Sequence, residues 1–231
     1  MSENIDIYRR NTVELQEYIE LWVHEIKLPV SSLLLMSHNN ENSEKYGKEL
    51  RRIDSYIENV LYYSRIESTG KDYIIKPVQI GKVFRNAALK NRSELLSMNI
   101  SINTDGLDKT VTTDEKWLEF IFGQLISNSM KYMSDLRDSE IKVYTEEKTD
   151  CVILHFYDNG IGISASDLPY IFDKSYTGEN GRTHSRSTGM GLYIVKSLCT
   201  KLGHKITAES LRGEFTDIII TFGKNDHVRP E

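Results

Sequence analysis

The chain has 231 residues, enough for one large domain or two smaller ones, and its hydrophobic content of 39% suits a soluble globular protein. The formal net charge of −5 gives no support to nucleic-acid binding, which usually requires a basic surface. Cys151 and Cys199 stand in apolar surroundings without a CxxC motif, so we expect two reduced, packed thiols and no zinc site.

No apolar run approaches the ~18 residues of a membrane span, and the polar N-terminus lacks the apolar region of a signal peptide. The chain as given is therefore expected to be cytoplasmic. Its sequence is equally compatible with the soluble part of a longer protein.

The first 38 residues predict a helix from about residue 5 to 38 that is kinked at Pro29, where the ring removes a backbone hydrogen bond. At about 100° per residue, one side of this helix carries an apolar stripe formed by Leu15, Ile19, Trp22 and Ile26. His24 lies on the opposite, polar side, and Glu25 beside it can take a proton from its ring. A single helix histidine is usually an ordinary surface residue, but packing alone does not explain a costly kink one turn beyond this pair.

A second amphipathic helix follows a polar turn at residues 37–43. Its apolar positions recur every three or four residues at Tyr46, Leu50, Ile53, Ile57, Val60 and Leu61. Two helices joined by a short turn form a hairpin, and two hairpins in a four-helix bundle bury far more apolar surface than one. We therefore predict a homodimer through residues 1–70.

Beyond a predicted linker at 71–77, which includes a short strand at 73–75, the pattern becomes mixed α and β. Helices are predicted at 80–98, from the cap Asp114 to about 133, and at 192–202; strands are predicted at 100–103, 140–146, 151–157, 205–210 and 215–222. This order predicts an α+β fold, in which a helical hairpin at 1–70 precedes a domain at 78–231 with helices on one face of a mostly antiparallel sheet.

Two polar motifs lie within this second domain. Asn128 and Lys131 are three residues apart late on a helix, where an amide oxygen and an ammonium group suit a magnesium-bound triphosphate. Asp158 follows an apolar strand and can accept a hydrogen bond from the exocyclic amine of adenine. Gly160 and Gly162 free the backbone to turn and approach a ligand. Taken singly, a solvated helix end and an Asn-Gly turn explain these motifs as well.

A third motif opens the last predicted helix, where backbone N–H groups can reach phosphate oxygens. Its residues are Thr188, Gly189, Met190, Gly191 and Leu192. The stretch before it is polar and glycine-bearing, with cations at Lys174, Arg182 and Arg186, and suits a mobile lid over a charged ligand. A chance Gly-x-Gly and an ordinary flexible loop are the competing explanations.

The order of these motifs along the chain is more specific than any one of them, and it resembles that of a sensor histidine kinase of a two-component system. The matching segments are residues 24–29 for the H box, 128–132 for the N box, 158–162 for the G1 box, Phe172 for the F box and 189–191 for the G2 box. Residues 22–27, 113–118 and 172–182 look more narrowly like the intramembrane-sensing kinases of Gram-positive bacteria, which work beside peptide-antibiotic transporters.

The resemblance implies a dimerisation and phosphotransfer hairpin followed by an ATP-binding α/β sandwich of the type shared by gyrase, Hsp90 and histidine kinases. His24 would attack the γ-phosphate of ATP with Glu25 as general base. The phosphoryl group would then pass to an aspartate in the receiver domain of a response regulator.

The resemblance also assigns the nucleotide contacts. Asn128 would hold Mg²⁺, and Lys131 and Tyr132 would position the phosphates. Asp158 would bind adenine, with Thr216 nearby through water. The glycine-rich motif and the lid would enclose the phosphates.

Two residues depart from the family pattern. Leu28 stands where relatives usually have Thr or Asn, which orients a water that dephosphorylates the regulator; Leu28 has no group for this, so we expect weak or absent phosphatase activity. Phe215 stands where many relatives have a glycine before the strand threonine.

Family members usually carry transmembrane helices before the hairpin, and Tyr8-Arg9-Arg10 resembles the juxtamembrane entry. The resemblance therefore implies the cytoplasmic portion of a cell-membrane protein, with an ABC transporter as a partner of the full-length protein. The competing interpretations are another ATPase of the same superfamily and an ATP-binding dimeric scaffold without kinase activity.

Overall fold

The structure, a computed structural model, describes residues 19, 22–23, 26–33, 35–36, 43–67, 73–134, 138–178 and 188–224. The chain divides into two compact units, Met1–Lys71 and Asp72–Glu231. His24, Glu25 and Arg182, and most of the predicted helix at 5–38, lie outside the described residues.

The first unit contains the long helix α1 (Ser43–Glu67), and residues 26–33 are also helical. One side of α1 is buried: Tyr63 is fully buried, and Tyr56 makes an edge-on contact with Trp22 at 5.2 Å between ring centroids. Trp22 belongs to the predicted apolar stripe and is only 1% exposed. Trp22 of the predicted stripe therefore packs against α1, whereas Ile19 of the same stripe is 44% exposed.

The second unit has two sheets among its described residues. Their strands are β1 (Lys76–Gln79), β2 (Ser101–Asp105), β3 (Thr110–Thr113), β4 (Glu140–Glu147), β5 (Cys151–Asp158), β6 (Lys205–Leu211) and β7 (Phe215–Gly223). β1 and β3 form an antiparallel pair. The other five form one sheet in the order β2-β4-β5-β7-β6, antiparallel except where β2 pairs with β4.

Four α-helices and a short 3₁₀ helix (Leu168–Tyr170) accompany these strands in the described part of this unit. The α-helices are α2 (Ile80–Lys90), α3 (Arg92–Ser97), α4 (Glu115–Lys131) and α5 (Gly191–Lys201). Phe84 of α2 contacts Phe122 of α4 and Phe156 of β5 edge-on, with ring centroids 5.3 Å and 6.4 Å apart. Alternate residues of β5 are buried on this helical side. The predicted α+β fold is thus confirmed.

Two local predictions were wrong, and one strand was missed. The strand predicted at 73–75 is absent, because Ile74 is 74% exposed and the chain first pairs at β1, where Val78 is buried. The helix predicted at 80–98 breaks at Asn91, whose side-chain amide donates to the carbonyl of Ala87 at 2.8 Å. The strand β3 was not predicted, since four residues of Thr-Val-Thr-Thr give little periodic signal.

None of the described helices is both long and apolar enough to cross a membrane. Cys199 is fully buried on α5, and burial raises the pKa of its thiol to about 12. That thiol stays protonated at neutral pH and acts as a small apolar side chain.

Candidate functional site

A pocket in the second unit lies between the C-terminal end of α4, strands β5 and β7, the residues after β5 and the start of α5. Its wall is mainly apolar and is formed by Leu125, Phe156, Ile163, Ile171, Leu192 and Ile218. A few polar side chains converge on it, among them Asn128, Ser129, Asp158 and Thr216. An apolar pocket with few, well-placed polar groups is typical of a small-molecule site.

Asp158, at the end of β5, is the buried carboxylate of this pocket. It is 8% exposed, and burial raises the pKa of its carboxyl group. Two donors offset that effect in part: the Ser129 hydroxyl donates to Oδ2 at 2.7 Å and the Gly160 N–H donates to Oδ1 at 3.0 Å. The arrangement holds a hydrogen-bond acceptor at the edge of an apolar cleft.

Thr216 is the direct partner of Asp158 across the β5–β7 ladder, so the two residues share the pocket face of the sheet. Its hydroxyl oxygen lies 3.3 Å from that of Ser210. The neighbouring Phe215 stacks on Tyr157 at 5.4 Å between centroids. Because side chains alternate along a strand, Phe215 faces away from the pocket that Thr216 lines.

The end of α4 presents Asn128 and Tyr132 to the pocket. A Cβ atom on Gly191 would lie 4.0 Å from both side-chain heteroatoms of Asn128, so the start of α5 lies beside this amide. Lys131 is not part of the pocket lining; its ammonium group lies 5.3 Å from the ring centroid of Tyr132. The amide and the helix start together offer an oxygen ligand and backbone donors at one place.

Gly160 and Gly162 are required by the packing of the protein's own backbone, because a Cβ at either position would collide with a carbonyl oxygen. A Cβ on Gly160 would lie 2.4 Å from the carbonyl oxygen of Tyr132, which also accepts a hydrogen bond from Ile161 N at 2.9 Å. Gly162 has a φ of 63°, and its Cβ would lie 2.1 Å from the carbonyl oxygen of Leu211. These glycines let the loop pass between α4 and the β6–β7 turn, and Gly162 also lines the pocket.

The third motif has a structural part and a pocket part. Met190 is fully buried, and Gly189, with a φ of 67°, would place a Cβ 2.5 Å from the carbonyl oxygen of Tyr176. The Thr188 hydroxyl accepts from the backbone N–H of Met190 at 3.3 Å. Leu192 lines the pocket, whereas neither Lys174 nor residues 188–191 do.

Sequence reasoning missed a second polar contact beside the pocket. The Tyr176 hydroxyl donates to Asp167 Oδ1 at 2.6 Å, and a Cβ on Gly178 would lie 2.7 Å from Asp167 Oδ2. Asp167 N in turn donates to Ser164 Oγ at 3.1 Å, so the Ser-x-x-Asp spacing was an available signal. Ser129 was also missed, because a small polar residue on a helix gives no signal of its own.

The helix-covered sheet carries the pocket over its central strands β5 and β7, and this pocket, with the buried Asp158 in it, lies in the part of the chain that matches a known family. Residues 113–226 match the family described as histidine kinase-, DNA gyrase B- and HSP90-like ATPases. That stretch contains every pocket residue named above.

Longer matches extend over the first unit as well. The sensor histidine kinase YxdK of Bacillus subtilis is 32% identical over 209 residues, which cover 89% of this chain and 64% of the relative. The sensor protein kinase GraS of Staphylococcus aureus is 32% identical over 211 residues, which cover 90% of this chain and 60% of the relative. Both relatives are sensor histidine kinases, and the chain spans less than two thirds of their length.

Two solved structures share the fold. The histidine kinase AdeS of Acinetobacter baumannii superposes with a TM-score of 0.67 at 18% identity, covering 88% of this chain and 98% of that one. The histidine kinase ThkA, in a complex with the response regulator protein TrrA, gives a TM-score of 0.66 at 18% identity, covering 98% of this chain and 67% of that one.

Proposed function

We propose that this chain uses ATP to phosphorylate itself on His24 and then transfers the phosphoryl group to an aspartate of a response regulator. The observation that carries the proposal is the acceptor carboxylate of Asp158 held in an apolar pocket next to the amide of Asn128. Adenine fits this site because it is a flat apolar ring with an exocyclic amine that donates hydrogen bonds.

The phosphates and Mg²⁺ are assigned to the other end of the pocket. Mg²⁺ in nucleotide sites usually has one or two protein ligands and takes its other oxygens from phosphates and water. The side-chain oxygen of Asn128 would be such a ligand, and the N–H groups at the start of α5 would face the phosphates. Lys131, Tyr132, Lys174 and Arg182 would add positive charge or hydrogen bonds once the lid closes.

The chemical step belongs to the first unit. A ring nitrogen of His24 attacks the γ-phosphorus, the bond to the bridging oxygen breaks, ADP leaves and Glu25 takes the ring proton. A phosphoramidate is reactive, so onward transfer to a carboxylate is favourable.

Labelling with γ-³²P-ATP tests this assignment. Wild-type protein should gain an acid-labile, base-stable label, His24→Gln should lose it, and His38→Gln should keep it as a matched control. Asp158→Ala should lose both the label and the ATP-induced rise in melting temperature. Label that survives in His24→Gln, or none in wild type despite ATP binding, would contradict the kinase assignment and favour another ATPase or a scaffold.

The partners are proposals of the same kind. We infer a homodimer through residues 1–70, a response regulator receiver domain as phosphoryl acceptor, and an ABC transporter beside a membrane-anchored full-length protein. The named relatives are sensor kinases, and ThkA was solved with a response regulator. A phosphotransfer assay against a panel of receiver domains would identify the acceptor.

Leu28 makes a phosphatase activity weak in this proposal. It lies in the helical run 26–33, is half-buried and has no hydrogen-bonding group to orient a water. Leu28→Thr should therefore speed dephosphorylation of the phosphorylated regulator, whereas Leu28→Val should not. Equal rates of regulator dephosphorylation for wild type and Leu28→Thr would show that Leu28 is not the cause of a weak phosphatase activity.

A further inference from the structure

Ser129 is a pocket residue to which the proposed function gives no role. It follows Asn128 on α4, is 2% exposed, and lines the pocket. Its hydroxyl donates to Oδ2 of Asp158 at 2.7 Å, while Oδ1 of Asp158 accepts from the backbone of Gly160 at 3.0 Å. Each carboxylate oxygen thus has one protein donor, and its remaining lone pair is available to a ligand.

These two donors oppose the effect of burial. A buried carboxyl group tends to protonate because its charge loses contact with water, whereas donors to the charged form keep it ionised. Burial is the largest influence on Asp158 and raises its pKa, the Ser129 hydroxyl is the largest opposing influence, and the negative charge of Asp217 raises the pKa as well. Of the two donors, only the serine hydroxyl can be removed by a side-chain substitution.

We propose that Ser129 is a positioning residue that keeps Asp158 a pure hydrogen-bond acceptor and thereby selects an amino-purine over an oxo-purine nucleotide. The proposal rests on ATP binding at this pocket and extends it to base selectivity. Ser129 acts through Asp158, since its hydroxyl hydrogen is already donated to the carboxylate.

The chemistry of the two bases explains the selectivity. Adenine presents an amine that donates to an ionised carboxylate, whereas hypoxanthine presents a carbonyl oxygen at the same position, which a carboxylate repels. A protonated carboxyl group has one O–H donor and can bind that carbonyl. Loss of the Ser129 hydroxyl therefore weakens ATP binding and relaxes discrimination against ITP, most strongly at low pH.

The test measures the dissociation constants of ATP and ITP for the whole chain by titration calorimetry at pH 8, 7 and 6. The variant is Ser129→Ala, which is compatible with a helix interior. Ser129→Cys nearly preserves the size with a weak donor, and Ser129→Thr restores a hydroxyl. Ser127→Ala makes the same chemical change at an exposed position of α4 and serves as the matched control.

We expect Ser129→Ala and Ser129→Cys to weaken ATP binding by about tenfold at pH 6 and least at pH 8, because loss of the donor leaves a larger fraction of the Asp158 carboxyl group protonated. The ATP-to-ITP preference should fall by about the same factor. Ser129→Thr should recover part of it, and Ser127→Ala should match wild type.

A uniform loss of affinity for both nucleotides, or an unchanged preference and pH profile in both substitutions, would overturn the role of Ser129. Failure of the underlying function has a different signature. In that case wild-type protein would bind no ATP, or Asp158→Ala would bind it as well as wild type does.

Discussion

His204 shows how a single buried group links the stability of the second unit to pH. Its ring nitrogen Nε2 lies 2.8 Å from the hydroxyl of Thr113, its ring contacts Phe222 edge-on, and it is 9% exposed. Burial lowers the pKa of this imidazole from 6.5 to about 4. The folded protein therefore keeps it neutral at a pH where the unfolded chain would protonate it.

Stability should fall as the pH drops through this window. Below pH 6.5 the unfolded chain binds a proton that the folded state does not take up until about pH 4, so acid favours unfolding. The free energy of unfolding should lose about 2 kcal/mol between pH 7.5 and 5 from this group. His204→Gln should reduce the pH dependence of the unfolding free energy measured with urea. The same change of this free energy with pH in variant and wild type would show that His204 is not its source.

Two glycines with left-handed backbone offer a matched pair of substitutions. A Cβ on Gly213, with a φ of 83°, would meet nothing within 4 Å, whereas one on Gly162 would lie 2.1 Å from Leu211 O. Gly213→Ala should cost about 1 kcal/mol of unfolding free energy for backbone strain alone. Gly162→Ala should cost about 3 kcal/mol or more and impair ATP binding. Similar losses in the two variants, measured by urea unfolding, would show that steric contact is not the cause.

At the scale of elements, helix α4 joins the start of the second unit to the pocket. Asp114 caps it, with Oδ1 accepting from Trp117 N at 2.8 Å and Oδ2 accepting from Ile74 N at 2.7 Å. Tyr73 adds a ring contact with Trp117 at 5.0 Å. One carboxylate thus fixes both the helix start and the segment that precedes β1.

Asp114 substitutions separate these two contacts. Asp114→Ala should lower the free energy of unfolding by about 2 kcal/mol, because the cap and the Ile74 N–H both lose an acceptor. Asp114→Asn retains a single acceptor oxygen and should cost about half as much. Hydrogen exchange at the Ile74 amide should accelerate in both variants. Unchanged exchange there would mean that the contact is not maintained in solution.

At the scale of the whole molecule, α1 has two apolar faces. Tyr56 and Tyr63 point to the buried side, while Leu50, Ile57 and Leu61 are 56%, 45% and 51% exposed and lie within about 40° of one another around the helix. An exposed apolar stripe next to a packed one supports the proposed four-helix bundle of a homodimer.

Disruption of this stripe should produce monomers. Ile57→Asp combined with Leu61→Asp places two charges on the exposed stripe and should halve the mass seen by sedimentation. Ser55→Asp adds a charge at an exposed position of α1 outside this stripe and should leave the mass unchanged. A persistent dimer in the double variant would place the interface elsewhere.

The α+β fold, most of its helices and strands, and the pocket residues with the strongest local signals could be predicted from the sequence alone. Apolar periodicity located α4, β4, β5 and β7, because side-chain burial repeats with the geometry of each element. The motif order also pointed to Asp158 and Asn128, which the structure brings to one pocket. The helix break at Asn91 and the absence of a strand at residues 73–75 were missed because both depend on single contacts, which periodicity does not show.

Contacts between residues far apart in the sequence became visible only in the folded structure. Ser129 and Asp158 are 29 residues apart and no local pattern links them, yet their side chains form one hydrogen bond. The folded structure likewise buries Met190 in the core and places Gly160 against the carbonyl oxygen of Tyr132. Local periodicity specifies which face of an element is buried, whereas contacts between elements depend on how the sheet and helices pack together.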